Sequence, residues 1–261
     1  MIGLSIATLG ALLAQLGAEE CSTALARARF VYESGNYASA VVEFERALSS
    51  CADRSPILLA LAQAQLLARQ IEPCIATLKQ LLDADPNHVA ARKLLGDALY
   101  FAGREIDAEE SLKAALAIDP KHEPSLYALG RIYYQQNRFP EAEIQFRKVL
   151  EIDPRNYRAH DNLALVYDAL FRDADALRHF TKALELVHKD HPDYDWAHAN
   201  LADFFLRRNN YEKAFQFAAE AAKRNPNSAR NFLLTGKALV KLNKEDLSLR
   251  WLEQAIKLDP E

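Results

Sequence analysis

The chain repeats itself every 34 residues, and no other feature restricts its fold so tightly. Asp-Pro or Asn-Pro dipeptides close successive segments at Pro86, Pro120, Pro154, Pro226 and Pro260, and a four-residue insertion puts Pro192 in the closing place of one segment. A fixed period of this length marks an array of stacked supersecondary units. Within a segment, apolar residues recur three and four positions apart, as at Leu126, Leu129 and Tyr133 and then at Ala142, Phe146 and Val149. That spacing is the stripe of two amphipathic helices. Gly35-Asn36, Gly103, Asn137, Asn209 and Asn243 fall between the two halves, where one helix must end and the chain reverse. Each segment therefore reads as a helix-turn-helix hairpin. A lone hairpin cannot bury both of its apolar faces, so neighbours must stack, with stability summed over nearest neighbours. The sequence predicts an all-α solenoid of about seven units, near residues 21–54, 55–88, 89–122, 123–156, 157–194, 195–228 and 229–261, behind an apolar leader over 1–20.

The stretch from Leu126 to Pro154 resembles the tetratricopeptide repeat (TPR) pattern through Leu129-Gly130, Tyr133, Ala142, Phe146 and Pro154. Steps of 34 place Ala28, Val31, Ala40, Phe44 and Ala47 in the first unit, and Gly96, Ala108, Leu112, Ala115 and Pro120 in the third. The fifth unit carries Ala164, Tyr167, Ala176, Phe180 and Ala183; the sixth Ala202, Phe205, Ala214 and Ala221; the seventh Gly236, Leu239, Leu252 and Ala255. The second unit departs most, with Cys74 and Leu81 where Ala is usual, and Ser248 departs in the seventh. Small residues at Gly96, Gly130, Ala164, Ala202 and Gly236 allow paired helices to approach, and Phe44, Phe146 and Phe180 fill the space between hairpins. The resemblance implies a right-handed superhelix whose first helices line a concave groove for a protein or peptide partner.

Composition agrees with a folded solenoid. Half of the 261 residues are apolar, only 8 are Gly, and no Gly- or Ser-rich linker divides the chain. The formal net charge of −4 argues against nucleic-acid binding, which needs a basic stripe to neutralise phosphates. Lys and Arg alternate instead with Asp and Glu along solvated helix faces.

The first 18 residues carry no charged side chain and end at Gly17-Ala18 before Glu19-Glu20. Three readings stand. A short apolar core and small residues suit a cleaved secretory signal. Gly3, Ala7, Gly10, Ala14 and Gly17 form a small-residue seam suited to an uncleaved membrane anchor, the one reading that involves a membrane. A capping helix over the first hairpin is the third. Cys21 opens the first helix of the first hairpin in this reading and Cys51 ends the second, so an antiparallel pair brings the two cysteines to one edge. A disulfide there would belong to an oxidising, exported compartment, whereas free thiols would suit the cytoplasm. Cys74 takes a small buried place and reads as inert packing.

Catalytic motifs are missing from the sequence: it has no Gly-rich phosphate loop, Cys-x-x-Cys, His-Glu-x-x-His or Gly-x-Ser-x-Gly. The insertion gathers His188, Asp190, His191, Asp193, Asp195 and His198, residue types that ligate divalent ions. No two of them have a fixed helical ligand spacing, so the segment reads as a polar connection in which Asp195 helps to start the next helix. No metal or cofactor is expected.

From the resemblance, the groove positions are Lys93, Asp97, Tyr100, Phe101, Tyr127, Arg131, Tyr134 and Gln135 in the central units. Arg158, Asp161, Asn162, Trp196, Asn200, Asp203 and Arg207 follow in the later ones. Tyr and Arg are enriched at binding hot spots, and aromatics interleaved with Lys93 and Arg131 suit a peptide with apolar anchors and some negative charge. Tyr100 and Phe101 also suit packing between hairpins. Lys93 matches one position of the TPR subclass that grips C-terminal carboxylates, but Asp97 and Ala128 stand where Asn is needed, so chaperone C-termini do not fit. The expected function is a non-enzymatic protein-interaction scaffold. The alternative is a recruiting or assembly subunit of a larger enzyme, secretion or envelope complex, with metal binding at the insertion a third reading. Leu247, Leu249, Trp251, Leu252, Ile256 and Leu258 give the last helix more apolar surface than one neighbour covers, which predicts self-association or docking there.

Overall fold

The computed structural model describes residues 6–188, 191 and 194–260. All the regular structure among them is helical. Two compact units divide the chain, residues 1–129 and 130–261. The first holds α1 (Ile6–Glu33), α2 (Tyr37–Ser50), α3 (Ser55–Leu67), α4 (Ile71–Ala84), α5 (Val89–Phe101), α6 (Glu105–Ile118) and the start of α7 (Glu123–Gln135). The second holds the rest of α7, then α8 (Phe139–Ile152), α9 (Tyr157–Ala169), α10 (Asp173–Leu186), α11 (Tyr194–Arg207), α12 (Tyr211–Arg224), α13 (Ala229–Lys241) and α14 (Glu245–Leu258). Each odd-numbered helix and the even one after it form one hairpin, and within each unit hairpins pack on their neighbours.

The punctuation read from the sequence has a direct physical role. Asp85, Asp119, Asp153 and Asn225 accept hydrogen bonds through their side chains from the backbone N–H two residues on, at 2.9–3.2 Å. The intervening Pro supplies the fixed φ of a turn, so Asp-Pro ends one hairpin and starts the next. His88 and Asn156 then cap α5 and α9 by accepting from the N–H of Ala91 and Ala159. Within the hairpins the turn residue is left-handed at Gly35, Arg69, Gly103, Asn137, Phe171, Asn209 and Asn243. Arg69 and Phe171 are departures from the Gly/Asn signal; the geometry of the turn prevails over local preference at both places.

The core is built from the expected positions. Ala40, Ala108, Ala142, Ala176 and Ala214 are fully buried, and Phe146 and Phe180 fill space between helices. A Cβ on Gly96 would lie 2.7 Å from Leu112 Cγ, and one on Gly236 would lie 2.5 Å from Leu252 Cδ2, so the helices approach as closely as the small residues permit. In the second repeat, within the first unit, Cys74 and Leu81 are as buried as the alanines they replace. The Cys74 thiol donates to the Ala62 carbonyl and burial pushes its pKa up to about 12, so it is unreactive at neutral pH.

At the amino end the structure differs from the expected division. Helix α1 continues from Ile6 through residues 20 and 21 without a break, so the leader and the first hairpin share one helix over the described residues. Cys21 sits inside this helix instead of opening it. The leader's apolar residues are good helix formers and nothing between Gly17 and Cys21 stops a helix once it is nucleated. Readings that depend on the side chains of residues 1–17 lie outside the described residues. Among the described residues, no helix is long and apolar enough to cross a membrane. Cys21 and Cys51 face each other across the first hairpin with Cα atoms 4.9 Å apart and their sulfurs joined.

Candidate functional site

The odd-numbered helices repeat the same positions every 34 residues, or 38 across the insertion. Register therefore assigns four rows of equivalent positions, which within each unit fall on one face of its odd-numbered helices. They are Leu59, Lys93, Tyr127, Asp161, Ala199 and Leu233; Gln63, Asp97, Arg131, Leu165, Asp203 and Lys237; Leu66, Tyr100, Tyr134, Asp168, Leu206 and Val240; and Leu67, Phe101, Gln135, Ala169, Arg207 and Lys241. Residues three and four apart on a helix share a face, which makes each helix contribute one patch.

In the first unit this face is apolar and aromatic. α3 packs beside α5 and brings Leu59, Leu66 and Leu67 next to the row positions of Lys93, Tyr100 and Phe101. Leu67 and Phe101 are exposed, whereas Leu59, Leu66, Tyr100 and Tyr127 are half-buried. Phe101 thus does not pack between hairpins; its ring meets Tyr100 edge-on at 6.1 Å. Lys93 is neutralised by Asp97 one turn away, Nζ to Oδ2 2.5 Å, so the expected free cation is absent from this patch.

In the second unit the same face carries a polar ladder. Asn200 is buried and donates to Asp161 at 2.8 Å while its carbonyl oxygen accepts from Arg230 at 2.9 Å, which ties α9, α11 and α13 together. Asp168 is buried beneath Arg207 and Arg208 and pairs with both. Arg207 also binds Asp203 at 3.0 Å, and Arg208 binds Asp173 at 2.5 Å. Burial raises the Asp168 carboxyl above its usual range, and the two guanidinium groups oppose that rise without cancelling it. Burial likewise raises the Tyr134 phenol, with Arg207 opposing and the carboxylates of Asp168, Asp203 and Asp161 adding to it. Tyr134, Asp168, Phe171, Asp173, Arg207 and Arg208 line an open cavity of about 660 Å³.

The remaining expected positions divide by orientation. Arg131, Gln135 and Trp196 are exposed. Arg158 donates to the Tyr157 hydroxyl at 3.1 Å, and Asn162 turns back to donate to the Arg158 carbonyl at 2.8 Å. Asp168, Arg208, Arg230, Lys237 and Lys241 were not among the sequence candidates. Stepping from Tyr134 by 34 reaches Asp168, so the repeat register alone carries the signal for it. Arg208 lies off the rows and only the fold brings it to Asp168.

The insertion does not assemble a ligand set. Asp190 and Asp193 lie outside the described residues. Asp195 is in the first turn of α11, but its Oδ2 accepts from Asn225 and Asn231 at 3.1 and 3.0 Å and so ties hairpins together. His198 is buried near Phe217, and His191 meets the ring of Tyr157. Among the described residues no three His, Cys, Asp or Glu side chains are grouped to hold a metal ion.

Comparison with solved structures places this fold among known ones. A tetratricopeptide repeat protein from Parabacteroides merdae ATCC 43184 superposes with a TM-score of 0.73 at 16% identity, over 92% of this chain and 94% of that one. PilF of Pseudomonas aeruginosa gives 0.68 at 23% identity, over 80% and 93%. PilW, a widely conserved type IV pilus biogenesis factor, gives 0.71 at 20% identity, over 80% and 96%. No curated protein sequence matches the chain. Family profiles described as tetratricopeptide repeat match residues 31–98 and 100–166, then 157–226, then 229–261. With matches over most of its length and helical hairpins throughout the described residues, the chain belongs to the tetratricopeptide repeat family.

Proposed function

We propose that this protein is a non-enzymatic interaction module that holds a protein or peptide partner on the face of its odd-numbered helices. Repeats of this family generally mediate protein–protein interaction and complex assembly. The observation that carries the reading is the recurrence of exposed apolar side chains at equivalent places on successive helices: Leu67 is 48% and Phe101 63% exposed, one repeat apart. Covering such surface is favourable by about 25 cal/mol per Å². A random-peptide display library panned against the protein tests this. Selected peptides should lose affinity for Leu67→Ser or Phe101→Ser, or for substitutions on the odd helices of the second unit; peptides insensitive to every such change would refute the assignment.

An assembly role has its own support in α14, where Leu247, Leu249 and Ile256 are exposed. Sedimentation showing a monomer at high concentration, unchanged by Ile256→Lys, would remove self-association through that helix. The leader and the Cys21–Cys51 pair support export to an oxidising compartment. Intact mass with and without reduction and alkylation, on protein from its own type of cell, tests this: an uncut chain with three alkylatable thiols would refute it.

A further inference from the structure

In the second unit Arg207 and Arg208 are engaged by carboxylates, whereas α13 carries a basic stripe with no such partners among the described residues. Asp168, Asp173 and Asp203 are each bound by Arg207 or Arg208, and Asp161 accepts from Asn200. Lys237 and Lys241, in contrast, are exposed and form no ion pair with a described residue. They share one side of α13 with Arg230, Leu233 and Val240 at helical spacing. Leu233 is 39% and Val240 45% exposed. Trp196, one repeat before Arg230 on the adjoining helix α11, is 63% exposed. The Arg230–Asn200 hydrogen bond brings the two helices' faces together.

Trp and Arg beside exposed aliphatic groups are the mix found at binding hot spots, and the uncompensated lysines fix the sign of what can sit there. We infer that the α11–α13 face receives an acidic, apolar-anchored segment of a partner protein. A bulky apolar side chain covers Trp196, Leu233 and Val240. Carboxylates reach Lys237 and Lys241, which stand one helical turn apart, about 5–6 Å between Cβ atoms. A nucleic acid suits the surface less well, because the chain's net charge is −4. This inference rests on the odd-helix face being the partner surface, and it narrows that reading to one place and one chemistry.

The test uses peptides selected from a random library on the full chain, labelled and measured by fluorescence anisotropy at low and high salt. The expected result is enrichment of Asp and Glu next to aromatic or large aliphatic residues. Affinity should weaken about tenfold or more in Lys237→Glu/Lys241→Glu, and also in Trp196→Ala, with strong salt dependence for the acidic contacts. Exposed lysines leave folding intact, which circular dichroism verifies. Selected peptides that lack acidic enrichment, or that bind the charge-reversed variant equally, overturn the inference. If such peptides still respond to Phe101→Ser, the odd-helix reading survives without it. Oligothymidylate binding that matches the best peptide also overturns it, and failure to select any peptide overturns both readings.

Discussion

Gly130→Ala sets two opposed effects against each other within one hairpin. Alanine is favoured over glycine in a helix interior by about 1 kcal/mol, so propensity alone predicts a more stable protein. The new Cβ, however, would lie 2.9, 3.0 and 3.1 Å from Cε1, Cζ and Cδ1 of Phe146. Carbon atoms pack best at about 3.5–4.0 Å, so the ring must retreat by more than half an ångström. Phe146 is fully buried and has nowhere to go without displacing its neighbours. Overpacking of this type costs about 1–3 kcal/mol; the middle of that range, about 2 kcal/mol, outweighs the propensity gain of about 1 kcal/mol and gives a net loss of about 1 kcal/mol. Urea unfolding at 25 °C, followed by helical ellipticity, measures the loss as a lower midpoint at constant slope. Phe146→Leu withdraws the ring carbons, so the double variant should recover about 1 kcal/mol relative to the sum of the singles. A Gly130→Ala protein as stable as the parent, or strictly additive singles, would refute the argument that the close approach dictates glycine.

Three further outcomes follow from the structure. Gln65 is buried at the place held by Leu99, Tyr133 and Tyr167 in later repeats, and its Oε1 accepts no hydrogen bond; Gln65→Leu should raise stability by about 1–2 kcal/mol in urea titration, and a loss would show an overlooked polar role. Reduction, or Cys21→Ser, should weaken the first hairpin by roughly 3–4 kcal/mol because the bond closes a loop of about 31 residues, and amide exchange confined to α1 and α2 should report it; unchanged protection there would contradict the chain-entropy estimate. His179 lies with its Nδ1 2.9 Å from that of His160, and burial first, then the His160 and Arg178 charges, lowers its pKa to about 4. The unfolded chain therefore binds the proton first, so the stability this group contributes is complete above its unfolded pKa and lost as pH falls from about 6.5 toward 4. Partial exposure reduces the loss to about 1–2 kcal/mol, and the stability gap between parent and His179→Gln should shrink across that window; a gap independent of pH would negate the assignment.

The spacing of Leu129, Tyr133, Ala142 and Phe146 and the Asp-Pro punctuation were enough to specify hairpins, their length and their stacking. Helical period and turn chemistry are local, and a repeat imposes the same local answer many times. The repeat register also named the face on which Lys93, Tyr134 and Arg207 lie. It did not reveal which of their charges are spent. Lys93 is neutralised within its own helix by Asp97, while Arg207 reaches Asp168 across 39 residues of sequence. Lys237 and Lys241 form no ion pair with a described residue although they occupy the same rows. Likewise, the continuous helix from Ile6 through Cys21 and the left-handed Arg69 and Phe171 arise where context exceeds local preference. The sequence by itself determined the repeat, the hairpin and the face; the tertiary structure decided which side chains on that face are open to a partner, because pairing and exposure depend on how neighbouring helices meet.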